Sequence, residues 1–422
     1  MEVKRKLFDA VKKGEKEEIS RLLREGDDIH AGNDWAFRSA VKDNNLLLVE
    51  YLLQLGANLR SENDWALRRA AKYGSLKLVE FLLERGADPH AVNDYSLRSA
   101  ARNGHLSVVR CLLKKGANLH AENDQAFRFA AKYGHLSVVK FLAEQGVNFH
   151  DMGYKALFLA AKNCRLEIVQ WIVDRGVDFR LWKYYYAFIL AAEYGNLRVA
   201  KFLHERGVDV HVIDDDAFQR ASLRGQMKML KFLLERGADP HAESDRALKL
   251  AAFGGHLETV KFLIKLWAYP HPEILQYAAS RGHLEVVFFL VQQGIYSSVY
   301  KDKALQTSAI NGHSETVKFL LEIGADPQSI SGETLKKILK RKDRNLIRLF
   351  LSYDLQIREM TPFLTAQILK IKFVEKGRNY TYRRKLLTTY RGEVLLAMRK
   401  MLLHFYYRPG TFVFYRAIDP EI

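Results

Sequence analysis

Histidine and arginine are the residues of this 422-residue chain that could do chemistry in numbers, and both recur at fixed places. His90, His120, His150 and His241 share one loop position, while His105, His135, His256, His283 and His313 share one turn position. Converging imidazoles would make a zinc site, but all ligands of one zinc must lie about 2 Å from it. Copies of one position on successive helix pairs stand roughly 10 Å apart. No metal and no other cofactor is therefore expected. The triplets "HPE", "HAE" and "HLE" match the H-x-E of base deaminases, yet the P-C-x-x-C that completes their zinc site is absent. A Walker A loop, HExxH, GxSxG and a kinase set are absent as well, so no enzyme is expected.

Arg38, Arg68, Arg98 and Arg128 form a column, each four residues after an aspartate: Asp34, Asp64, Asp94 and Asp124. Where Tyr154 or Tyr185 replaces the aspartate, the fourth residue on becomes Phe158 or Ile189. Both members change from charged to apolar together, as an i,i+4 structural contact should. The alternative is a column that grips phosphates or an acidic partner. Two cysteines argue against a disulfide framework and for a reducing compartment. Cys111 replaces the Phe81 of the copy before it and reads as a buried apolar residue, and Cys164 stands in a helix–helix turn.

The elements that carry these residues come from a repeat. "NDWALRRAAKYGSLKLVEFLLERGADPHA" (63–91) aligns with "NDYSLRSAARNGHLSVVRCLLKKGANLHA" (93–121), a period of 30. Self-similarity of this kind decides the architecture before any local motif. Within a copy, Leu67, Ala70 and Ala71 give one face of a first helix opened by an Asn-Asp cap. After the Tyr73-Gly74 turn, Leu76, Val79, Leu82 and Leu83 form a second apolar stripe, closed by Gly86. Helices this short are not stable alone, so each pair must bury its apolar face on the next. Twelve copies begin near Met1, Asp34, Asp64, Asp94, Asp124, Tyr154, Tyr185, Asp215, Asp245, Pro272, Asp302 and Gly332.

"AAKYGHLSVVKFLAEQGVN" (130–148) and "AAFGGHLETVKFLIKLWA" (251–268) closely resemble the helix–turn–helix half of the ankyrin repeat. The T-P-L-H opening of that family is here N-D-x-A-L-R, and three residues are lost from the connecting finger. Shortened copies of this kind are similar to those of the large ankyrin family of giant amoeba-infecting viruses. The resemblance implies an all-α ankyrin-repeat solenoid of about twelve helix–turn–helix copies with a basic helical C-terminal tail. The array would run over residues 1–355, with 1–33 as the N-terminal capping repeat and 332–355 as a degenerate C-terminal cap. In "TLKKILKRKDRNLIRLFLSYD", Lys342 takes the place of the turn glycine and Asp354 that of the closing one. The resemblance also makes the turn histidines structural. It implies a non-enzymatic protein–protein interaction scaffold, in viral terms one that engages a host protein.

In an array of that family the first helices and the turns beside them line the binding groove. The position after the aspartate runs Trp35, Trp65, Tyr95, Gln125, Lys155, Tyr186, and the positions before the turn glycine include Tyr73, Tyr133, Tyr194 and Arg224. Aromatics on an otherwise polar groove are the residues that anchor protein interfaces. At "RLWKYYYAF" (180–188) one residue is inserted, and Trp182, Lys183, Tyr184 and Tyr186 either fill a repeat junction or form a projecting partner patch. The candidate partner-binding set is therefore Trp35, Trp65, Tyr73, Tyr95, Tyr133, Trp182, Lys183, Tyr184, Tyr186, Tyr194 and Arg224.

Net charge is +17, and it is uneven: residues 332–422 hold 20 Lys+Arg against 8 Asp+Glu, leaving 46 against 41 for residues 1–331. The tail, residues 356–422, reads as basic amphipathic helices. It would serve as an end-cap, a nuclear-import or nucleic-acid contact through "KKILKRKDR" (336–344) and "YRRKLL" (382–387), or a surface helix on an anionic membrane. A scaffold of the second kind would be an adaptor, its array selecting a target while the tail docks a ubiquitin ligase or nucleic acid. Poxviral ankyrin proteins, similar in plan, carry an F-box in this place, whose leucine-proline-x-glutamate opening is missing here. No run approaches 18 uninterrupted apolar residues, and "MEVKRKLFDAVKKGEKEE" has no apolar signal core. An intracellular, cytoplasmic monomer is expected.

Overall fold

The structure is a computed structural model that describes residues 2–147, 149–175, 182–266, 270–341, 343, 345, 346, 349 and 350. Among the described residues there are helices and turns and no strand. The chain divides into two compact units, Met1–Ser244 and a second from Asp245 onward.

In the first unit eight helix pairs follow one another. They are α1 (Glu2–Lys13) with α2 (Lys16–Arg24), α3 (Ala31–Lys42) with α4 (Leu46–Gln54), and α5 (Ser61–Tyr73) with α6 (Leu76–Glu84). Next come α7 (Ala91–Arg102) with α8 (Leu106–Lys114), and α9 (Ala121–Tyr133) with α10 (Leu136–Glu144). The last three are α11 (Phe149–Lys162) with α12 (Leu166–Val173), α13 (Trp182–Glu193) with α14 (Leu197–Glu205), and α15 (Val212–Leu223) with α16 (Met227–Glu235). The second unit holds α17 (Ala242–Gly254, its first three residues in the first unit) with α18 (Leu257–Ile264), and α19 (Ile274–Ser280) with α20 (Leu284–Gln292). After α21 (Ser298–Asn311) and α22 (Ser314–Glu322) come a 3-10 turn (Pro327–Ser329) and α23 (Gly332–Arg341).

First helices stack on first helices, as α5 on α7 and α7 on α9, and second helices on second helices, as α6 on α8. The paired alanines make the first stack possible. Ala70, Ala71, Ala100, Ala101, Ala130 and Ala131 are buried at 2% exposure or less, and so small a side chain lets the backbones close up. Leu82, Leu112, Leu142, Ile172 and Leu203 are fully buried at the same place of successive second helices. Each contributes roughly 1.5–3 kcal/mol by leaving water.

The start of the first helix departs from the capped helix expected. In copies two, three, four, five, eight and nine the three residues before the right-handed helix are themselves left-handed. In copy three, Glu62, Asn63 and Asp64 have φ of 51°, 56° and 54°; in copy four, Val92, Asn93 and Asp94 have 58°, 54° and 55°. L-residues visit this region as single residues at a cost of about 1–2 kcal/mol each. Three in a row need compensation from outside the turn, and the neighbouring copies supply it. Copy six lacks the turn: Met152, Gly153 and Tyr154, at the same place in α11, show no positive φ.

Candidate protein-binding face

The face is built from the loop that precedes each first helix. Asp94 is 4% exposed. Its Oδ1 accepts the backbone N–H of Asn118 at 2.6 Å and lies 3.1 Å from Nδ1 of His90. Asp34 does the same with Asn58 N–H (2.9 Å) and His30 (2.8 Å). Asp64 takes the N–H of Asp88 at 3.0 Å, and Asp215 that of Asp239 at 3.1 Å. One buried carboxylate thus ties its own loop to the loop of the next copy. The hydrogen bond to Asp215 raises the pKa of His211.

This corrects the reading of the arginine column as i,i+4 partners of these aspartates. Arg68 donates to the carbonyls of Asn63 (3.0 Å) and Glu62 (2.7 Å), Arg98 to those of Asn93 and Val92 (2.8 Å each). Arg128 repeats the contact at Asn123 (3.1 Å) and Glu122 (2.8 Å), and Arg38 reaches the carbonyl of Gly32 at 2.9 Å. A left-handed turn points successive carbonyls at one place, and the planar guanidinium satisfies two at once. In copy eight Gln219 takes over, its Nε2 donating to Asp214 O at 2.7 Å. Aspartate and arginine are lost together at Tyr154/Phe158 and Tyr185/Ile189 because both serve the same turn, whereas copy eight keeps the turn and the aspartate with a glutamine donor.

The rings after the aspartates lie between these arginines. Trp35 stacks on Phe8 with ring centres 4.3 Å apart. Arg38 lies 5.7 Å from the Trp65 ring, Arg68 and Arg98 each 5.6 Å from that of Tyr95. Trp35, Trp65 and Tyr95 are consequently half-buried, so this position takes part in stacking as well as facing the groove. Arg98 continues the ladder with a hydrogen bond to Gln125.

A second row runs along the turns. Tyr73 is 55% exposed and has Arg69 4.1 Å from its ring centre. Arg102 lies 4.9 Å from Tyr133, and Lys162 lies 4.5 Å from Tyr194. Arg224 also stands 5.4 Å from the Tyr194 ring and pairs with Glu193 at 3.1 Å. Glu193, 8% exposed, also meets Arg220 at 3.4 Å, which Asp216 holds at 2.8 Å. Sequence reading missed Arg69, Arg102, Lys162 and Arg220. Arg102 and Lys162 share an alignment column with Lys72 and Lys132 and could have been found there; Arg220 falls one place outside the arginine column.

At the inserted residue the backbone is helical from Trp182 onward. The side chains of Trp182, Lys183 and Tyr184 lie outside the described residues. Tyr186 packs edge-on against Phe158 at 5.2 Å and lies 5.7 Å from Arg220, so its ring fills the junction between copies six, seven and eight. Phe158 meets Tyr154 at 5.7 Å.

The turn histidines hold the copy before them. His105 Nε2 lies 3.1 Å from the carbonyl of Lys72, His135 Nε2 2.9 Å from that of Arg102, and His283 Nε2 3.0 Å from that of Phe253. Burial lowers the pKa of His283. Among the described residues no group of three or more His, Cys, Asp or Glu is placed to hold a metal ion. Cys111 is half-buried rather than buried, and burial raises its thiol pKa; Cys164 is exposed in its turn. The basic run 382–387, the tail 356–422, Lys342 and Asp354 lie outside the described residues.

Comparison with known proteins matches a family model described as "Ankyrin repeats (3 copies)" to residues 7–93, 97–181, 188–272 and 248–331. Among solved structures, "Crystal structure of human ASB11 ankyrin repeat domain" is similar at 22% identity and a TM-score of 0.41, over 48% of this chain and 98% of that one. No curated protein matches.

Proposed function

The chain belongs to the ankyrin-repeat family, whose repeats mediate protein–protein interaction, and from that premise we propose that it is a non-enzymatic scaffold binding a protein partner. The partner lies on the first-helix rings and the turns beside them. The observation that carries this reading is the row Tyr73, Tyr133 and Tyr194, three half-buried or exposed rings on alternate copies of one turn position. Their ring faces meet cations, and Tyr73 is 55% exposed. Such rings anchor interfaces at low entropic cost. Trp182, Lys183 and Tyr184 belong to the same proposed surface.

The test is a triple variant, Tyr73→Ser with Tyr133→Ser and Tyr194→Ser, assayed by capture of binding partners and by melting. An anchor costs about 2 kcal/mol or more when truncated, so capture should fall more than tenfold. The cation–ring contacts contribute about 0.5–1 kcal/mol each, so the melt should fall by several degrees while the array stays folded. Unchanged capture would refute the reading.

The 30-residue period and its N-D-x-A-L-R opening support a viral scaffold engaging a host protein. A second reading is favoured by the charge of residues 332–422, 20 basic against 8 acidic: an adaptor whose tail docks a ligase or nucleic acid. Capture by residues 1–331 and by 332–422 separately distinguishes the two, since an adaptor needs both. Among the described residues no helix is long and apolar enough to cross a membrane. Two cysteines in the chain support an intracellular, cytoplasmic or nuclear setting, and a monomer is proposed.

A further inference from the structure

The right-handed parts of the first helices in copies two to six carry eleven Lys and Arg and no Asp or Glu, in Trp35–Lys42, Trp65–Tyr73, Tyr95–Arg102, Gln125–Tyr133 and Lys155–Lys162. The acidic residues of these copies' first-helix segments are spent elsewhere. Asp34, Asp64 and Asp94 hold the loops, Glu62 pairs with Arg38 at 2.9 Å, and Glu122 accepts from Asn93 at 2.9 Å. Arg38 is the only one of the eleven cations with a carboxylate at ion-pair distance among the described residues. Arg69 lies between the Trp65 and Tyr73 rings, and its Nε is buried with no acceptor. Lys72, Arg102 and Lys162 are exposed, and Lys132 is half-buried. The pattern stops at copy seven, where Glu193 appears, and at copy eight, where Asp216 and Glu193 neutralise Arg220.

We propose that this face of copies two to six holds an acidic, extended segment of the partner protein; the inference rests on the scaffold reading above and names the chemistry of its ligand. Arg38, Arg68, Arg98 and Arg128 spend donors on the turn carbonyls and act on a partner through charge, while Lys72, Arg102, Lys132 and Lys162 keep theirs for its carboxylates. Copies stand about 10 Å apart and an extended chain advances about 3.3 Å per residue, so the five copies span about 12 residues with an acidic side chain near every third. The rings argue against a nucleic acid. Single strands are held by bases stacked on ring faces, but here the faces meet guanidinium groups, at 5.7 and 5.9 Å on Trp65 and 5.6 Å twice on Tyr95.

The experiment uses the full chain, a fluorescent glutamate-rich peptide of about 20 residues and an oligothymidylate of about equal charge, in low salt so that screening does not hide the contact. One variant removes strip charges (Lys72→Gln, Arg102→Gln, Lys132→Gln, Lys162→Gln). A control removes charges elsewhere (Lys336→Gln, Lys337→Gln, Lys340→Gln, Arg341→Gln). The peptide should bind in preference to the oligonucleotide, lose at least tenfold in affinity with the strip variant, and change less than twofold with the control. Far-UV spectra confirm the fold, and if the fourfold variant fails, Lys72→Gln with Lys162→Gln repeats the test on exposed ends alone. Equal loss in the control, no loss in the strip variant, or tighter strip-dependent binding of the oligonucleotide would each overturn the inference. The serine variants of Tyr73, Tyr133 and Tyr194 separate this from the scaffold reading. Should partner capture fail with the ring variant and survive the strip variant, the scaffold stands and the acidic ligand falls.

Discussion

Gly74 shows how a single turn position is fixed by its neighbour. Its φ of +74° favours glycine, and an added Cβ would come within 2.5 Å of the ring of His105 in the next copy. Conformation and space therefore make separate demands. Two copies show what happens when only one is met. Asn44 holds φ +54° and Cys164 φ +58° in the same turn, and the residues that follow a copy later are Ser75 and Asn196, not histidine. A side chain fits in the turn where the next copy gives up its imidazole. Gly74→Asn should thus destabilise by roughly 1–3 kcal/mol, as strained and overpacked sites do. Adding His105→Ser should restore much of that loss, although His105→Ser alone also costs stability by removing the bond to Lys72. The melt of the double variant checks this coupling, and simple additivity of the two losses would refute it. The substitutions at Asn44 and Cys164 stood in the sequence, but pairing them with Ser75 and Asn196 needs to be told which ring lies over which turn.

At the scale of the element, the helix pairs were legible and the handedness of their openings was not. Leucine and alanine spacing located both stripes of each copy, and the buried set Leu67, Ala70, Ala71, Leu82 matches it. Asn-Asp, however, suits a helix cap and a left-handed turn equally, because both residues hydrogen-bond their local backbone. Only Arg68 and its equivalents, which donate to the turn's carbonyls, distinguish the two, and from sequence they read as partners of the aspartates. Val92 (φ 58°) and Ile213 (φ 53°) are the most strained members, being β-branched. Both are exposed, at 46% and 56%, so their side chains contribute little burial. Replacing either by Asn should stabilise by about 1 kcal/mol, the left-handed cost of a branched residue less that of asparagine. The midpoint of denaturant unfolding should rise with its slope unchanged. A fall in midpoint would show that the branched side chain supports the turn.

Across the whole molecule, the period, the order of copies and the degenerate last copy were visible in the sequence, and the described residues hold eleven helix pairs with α23 opening the twelfth. The division near Ser244 was not visible, because the repeat reads through it without a change of composition. What varies from copy to copy is the tie between neighbours. The amides of Asn58, Asp88, Asn118 and Asp239 each donate to an aspartate 24 residues earlier. Asp209 stands at the equivalent place, and 24 residues before it is Tyr185, which has no carboxylate to offer. A hydrogen bond to a charged acceptor contributes roughly 1.5–3 kcal/mol, and each 1.4 kcal/mol is about a factor of ten in an opening equilibrium. Native-state hydrogen exchange should accordingly find the Asp209 amide at least tenfold less protected than the other four. Asp94→Ala should then release the Asn118 amide while leaving Asn58 unchanged, since a repeat array couples nearest neighbours and little beyond them. If Asp209 proves as slow as Asn118, or if Asp94→Ala loosens Asn58 as well, the aspartates are not what joins one copy to the next.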